Sequence, residues 1–276
     1  MVSQADFQPP PPPPLQVPAR PTMSTAAALA NVFVAPARTF DSFRDVTAFA
    51  PAAVRFLIAA AIIIVAVLAY NFIYLERMGS STIAFAAMGA TPLTNVTEEQ
   101  KARALQVQET PTFRVIGLVM TFGRLLVMLV ASMPLGGLAY WLGAMLFKDS
   151  IKFMQALLVW TYASLPPTVL WMLANTFVLF FRPPTTSLAI ATGANGVIKA
   201  NLGALFTVNA FPIPVHVVAL SAFDLFEFYG LGLAMLGLRK LARLPWIGSF
   251  GIVISVWLFG VGLRVATAGL VGAIMR

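Results

Sequence analysis

Five stretches of this chain are long and apolar enough to cross a membrane: 54–75, 113–147, 153–181, 215–238 and 246–275. About 20 apolar residues in a helix span a hydrocarbon core of roughly 30 Å. Backbone groups have no water to bond there, so a run of this length must satisfy them internally, as a helix does. With 59% of the residues apolar and only 10% charged, the balance is not that of a soluble domain. The expected fold is an all-α integral membrane protein, a bundle of about five transmembrane helices carrying a disordered, Pro-rich N-terminal tail.

The same composition narrows the chemistry. There is no cysteine, which excludes disulfides, thiol nucleophiles and thiolate metal sites. The one histidine, His216, cannot build a zinc site alone. No Walker loop, dinucleotide fingerprint, HExxH or nucleophile elbow occurs. The expectation is a protein that is not an enzyme, with no catalytic residues, no metal and no cofactor. The formal charge of +8 comes from basic residues scattered between apolar runs. That pattern sets orientation in a bilayer and does not suggest nucleic acid as a partner.

In chain order, residues 1–28 form the Pro-rich tail, with an unbroken run from Pro9 to Pro14. Such a tract is a polyproline spacer, or a docking segment for an SH3-like protein partner. It lacks the apolar h-region of a signal peptide. Residues 29–53 form an amphipathic segment, with Phe40, Phe43, Val46 and Phe49 at steps of three between Pro36 and Pro51. That spacing predicts a short helix lying in the bilayer interface with its aromatic face down. Residues 54–276 are the transmembrane bundle. Between the first two spans, Thr97-Glu98-Glu99-Gln100 predicts a capped helix over 98–108. In the second span Pro134 with Gly136-Gly137, and in the third Pro166 and Pro167, mark expected bends or helix breaks. The small residues Gly248, Gly251, Ser255, Gly260 and Gly262 of the last span predict close helix contacts.

Short basic loops favour a cytoplasmic N-terminus. Lys148 and Lys152 fall in one inside turn, and Arg239, Lys240 and Arg243 in another. The outer segment after the first span carries Glu76, Glu98, Glu99 and Glu109. The expected location is a bacterial inner (plasma) membrane, with the lipid bilayer as the first partner.

The stretch 215–238 carries the charges that need an explanation. Asp224 and Glu227 lie three residues apart, on one face of a continuous helix. A carboxylate in lipid costs roughly 2.5 kcal/mol or more unless it is paired or turned toward protein or water. Counting about 1.5 Å per residue, Arg124 and Arg264 fall at similar depth and are the expected partners. The set Arg124, Asp224, Glu227 and Arg264 is either a structural counter-ion cluster or a proton or ion relay.

Several stretches resemble the Yip family, the Ypt/Rab-interacting membrane proteins, in its bacterial form. Phe33 through Pro36 to Thr39-Phe40 is similar to the family's entry segment before the first span. Phe153-Met154-Gln155-Ala156-Leu157, followed by Tyr162-Ala163-Ser164-Leu165-Pro166, is similar to its Phe-x-x-Ala-Leu … Tyr-Ala-x-x-Pro segment. Asp224-Leu225-Phe226-Glu227-Phe228-Tyr229, running on to Gly237, resembles its Asp-Leu-Phe-x-x-Trp … Gly segment, with Tyr229 where the family commonly has Trp. The resemblance covers about residues 31 to 275. It implies a five-span bundle with a cytoplasmic N-terminus and, from eukaryotic members, a role in vesicle trafficking.

Two functions follow as expectations. One is a non-enzymatic scaffold or adaptor in membrane organisation or trafficking, with protein partners in the membrane or at the Pro-rich tail. The other is a transporter or channel for a small solute, ion or lipid, built on the intramembrane charges. A water-filled path to those charges favours the second, and a dry, mutually paired cluster favours the first.

Overall fold

The computed structural model describes residues 23–44, 46, 49–78, 111–147, 151–181, 198, 200–205 and 215–274. The proline run and the helix expected over 98–108 lie outside the described residues. Among the described residues the chain is helical, without a strand. The helices are α1 (Thr25–Val34), α2 (Pro36–Arg44), α3 (Phe49–Met78), α4 (Pro111–Met145), α5 (Phe153–Phe181), α6 (Val215–Ser221), α7 (Leu225–Leu241) and α8 (Trp246–Ile274). A single 3-10 turn, Leu202–Leu205, precedes α6.

Among the described residues four helices, not five, are long and apolar enough to cross a membrane: α3, α4, α5 and α8. The expected fourth span, 215–238, is instead divided into α6 and α7 by the residues Ala222 to Asp224. The cause is Asp224. Its backbone is extended (φ −106°, ψ 139°) and its side chain accepts from the N–H groups of Phe226 and Glu227, which makes it the N-cap of α7. A short polar side chain that bonds the N–H groups just downstream competes with helix continuation and starts a new helix instead. The cap also meets the carboxylate's need for donors, which a mid-helix position would have left open.

Helix α5 is the hub, packed on α3, α4 and α7. It runs without interruption through Pro166 and Pro167, so these residues do not break the helix. Both are buried, and the ring of Pro167 lies against Gly230 of α7, where an added Cβ would sit 3.2 Å from Cγ. Each proline forfeits one backbone hydrogen bond, and packing on both sides holds the helical path. Helix α4 likewise continues past Pro134. Gly136 and Gly137 are contact residues: a Cβ on Gly137 would lie 3.0 Å from the Leu157 backbone, and one on Gly136 would strike the Trp160 ring. Of the small residues of α8, Gly248 lies against Phe147, where an added Cβ would sit 3.3 Å from the ring, whereas Gly251, Gly260 and Gly262 face open space.

The amphipathic segment is also corrected. It takes in the end of α1, all of α2 and the start of α3, with Pro36 opening α2 and Pro51 in the first turn of α3, the positions where a missing N–H costs least. Phe40 and Phe43 do not face lipid; both are fully buried in the protein core. Phe43 meets Tyr162 of α5 edge-on at 4.7 Å between ring centroids. Phe40 packs where Gly237 of α7 leaves room, 3.1 Å from a would-be Cβ. Lys240 pairs with Asp41 at 2.9 Å, and Arg44 donates to the Lys240 carbonyl at 2.7 Å, so α2 is tied to the end of α7.

Candidate functional site: a cavity at the divided helix

The division between α6 and α7 exposes backbone groups that a continuous helix would have paired. The segment 200–205 crosses there and supplies partners. Leu202 N–H donates to the Phe223 carbonyl at 3.3 Å, and Leu225 N–H donates to the Ala200 carbonyl at 3.1 Å. The crossing segment is itself anchored by Asn175, a fully buried amide in the middle of α5's apolar sequence. Asn175 accepts from the Ile198 N–H at 2.7 Å and donates to the Trp171 carbonyl at 2.8 Å. Irregular backbone at membrane depth is tolerated where it is enclosed by protein or lines a cavity.

A cavity of about 510 Å³ lies at this crossing, between α5, α7, α8 and the segment 200–205. Its charged lining consists of Asp224, Glu227 and Arg264. Arg264 faces Glu227 with both terminal nitrogens, Nη2 to Oε1 at 3.3 Å and Nη1 to Oε2 at 3.4 Å. The Arg264 side chain is 57% exposed and that of Glu227 26%, so the pair sits at an open wall. Asp224, by contrast, contacts no arginine and engages the α7 N-terminus through Oδ1, at 2.8 Å to Phe226 N and 3.3 Å to Glu227 N. A carboxylate there also complements the positive end of the helix dipole. Arg124 is not part of the site; it lies on an exposed face of α4 and does not line the cavity.

The sequence cluster therefore separates. Glu227 and Arg264 are brought together, Asp224 joins them in the same cavity with a different bond, and Arg124 stands apart. Pro167 contributes a wall residue. Sequence reasoning missed the aromatic walls, Tyr140, Trp160, Trp171 and Trp257, because aromatic residues in an apolar run read as core. It also missed Asn175 and Asn201. A lone amide inside an apolar span was the available signal for Asn175. Asn201 lines the cavity, and its Oδ1 is buried without a partner among the described residues. Among the described residues no set of three His, Cys, Asp or Glu side chains is placed to hold a metal.

The segments that resemble Yip motifs meet elsewhere. Phe40 of the first packs against Gly237 of the third, with Val159 of α5 beside them, while Tyr162 of the second meets Phe43 of α2. Compared with known proteins, the chain matches no family profile, no curated protein and no solved structure.

Proposed function

We propose that this integral membrane protein is a Yip-type bundle that acts by binding, handling a small solute or lipid in the cavity at the divided helix. One observation carries the reading: a cavity of about 510 Å³ reaches the charged groups and leaves the Glu227–Arg264 pair partly exposed. A purely structural ion pair is better served by a dry, closed setting, since water and ligand access weaken its attraction. A divided helix presenting a polar terminus to a cavity is a recurring design of membrane transport sites.

The chain contains no cysteine, so a single introduced thiol reports water access cleanly. Ser221→Cys, at the cavity wall, is expected to react with N-ethylmaleimide in the purified protein. Ser249→Cys, at a fully buried position outside the cavity, is the unreactive control. A Ser221→Cys thiol as silent as the control contradicts the reading.

The scaffold or adaptor reading is second. It is favoured by the packing of Phe40 of the first Yip-like segment against Gly237 of the third, which ties the resemblance to the bundle's architecture. The bilayer in question is proposed as the bacterial inner membrane, with α6 and α7 together crossing once as a divided span, so that the N-terminus and the turn after α7 both lie in the cytoplasm. In intact cells Arg243→Cys is then protected from an impermeant thiol reagent, and labelling before the cells are opened reverses the orientation.

A further inference from the structure

The cavity's unengaged charge is one-sided. Both N–H groups that bond Asp224 go to Oδ1, which leaves Oδ2 with no bond to a described residue. Asn201 Oδ1, buried in the same lining, also has no partner among the described residues. The only cation of the lining among the described residues, Arg264, has both terminal nitrogens on Glu227. Of the lining's fully buried donors, Trp257 Nε1 has no partner among the described residues, and it is neutral. Two carboxylates and one guanidinium give the lining a net negative charge. Around these groups stand the rings of Tyr140, Trp160, Trp171 and Trp257, and aromatic faces attract desolvated cations.

From this arrangement we infer that the cavity binds an organic cation, an ammonium group with an apolar or aromatic body. The ammonium sits at Asp224 Oδ2, and the body lies among the tryptophans. The assignment rests on the ligand-handling reading above and names its substrate class. An anion is disfavoured because Glu227 already occupies the guanidinium, and an unpaired anion beside Asp224 meets only like charge.

The test uses the full chain carrying Ser221→Cys in a neutral detergent. Labelling by N-ethylmaleimide is timed with benzyltrimethylammonium, with benzenesulfonate or with neither. At saturation the cation is expected to slow labelling by about tenfold, while benzenesulfonate leaves the rate unchanged, the asymmetry that a single-signed cavity produces. Adding Asp224→Asn should abolish the protection; Asn caps a helix as well as Asp does, so the α6–α7 junction stays intact. No protection by the cation, equal protection by benzenesulfonate, or protection that survives Asp224→Asn overturns the cation assignment and leaves the open cavity standing. No labelling at all removes the cavity reading together with it.

Discussion

Arg264 of α8 and Glu227 of α7, 37 positions apart in sequence, face each other fork to fork at 3.3 and 3.4 Å. This is the sole ionic tie between α7 and α8 among the described residues. More than half of the Arg264 side chain is exposed, so screening limits what the pair contributes. A double-mutant cycle with Glu227→Gln and Arg264→Gln, read as thermal stability in detergent, is expected to give a coupling of about 0.5–1 kcal/mol. Replacing Glu227 while also changing Arg124 to Gln should give additive losses, because Arg124 lies outside the cavity.

Asp224 behaves as a cap. Asp224→Ala removes the acceptor for two N–H groups and should cost about 1 kcal/mol. Asp224→Asn keeps the acceptor and should cost no more than about a few tenths. Equal losses in the two variants, measured by thermal unfolding, would show that charge matters here and that the capping role is secondary.

The glycines of α7 differ by what stands opposite them. A Cβ on Gly237 would come within 2.8 Å of Val159 Cγ1 and 3.1 Å of the Phe40 ring, whereas one on Gly232 meets nothing within 4 Å. Gly237→Ala is therefore expected to destabilise the bundle by about 1–3 kcal/mol through overpacking. Gly232→Ala, in an exposed helix interior, should stabilise it by about 0.5–1 kcal/mol. Unfolding midpoints of the two variants should move in opposite directions.

Much of the bundle was legible in the sequence. The third span, 153–181, has the bounds of α5, because the turn residues Lys148, Asp149 and Lys152 precede it and Arg182-Pro183 follow it. The fourth span was misread for a physical reason. Hydropathy averages over a window and cannot tell a carboxylate in mid-helix from one that ends a helix. The spacing of Asp224 and Glu227 is also that of an N-cap and its third helical residue, a start signal. Read that way, it would have divided the run at the right place. Proline carried the opposite lesson. Pro134, Pro166 and Pro167 suggested bends, yet both helices continue, because neighbouring helices hold the backbone where its own bond is lost. The cavity was not legible at all. It arises from three tryptophans, a tyrosine and a crossing segment far apart in sequence, and only tertiary packing brings them to one place.

The central claim is that Ser221 is reached from water through the cavity beside Glu227 and Arg264. The most direct test fills that cavity and asks whether access is lost. Ser164 lines it from α5, and Ser164→Phe adds an aromatic ring to the space. In the double variant Ser164→Phe with Ser221→Cys, the labelling rate by N-ethylmaleimide should fall about tenfold below that of Ser221→Cys alone, the effect of roughly 1.4 kcal/mol of lost access. Equal rates in the two proteins, with the fold intact by circular dichroism, would contradict the account.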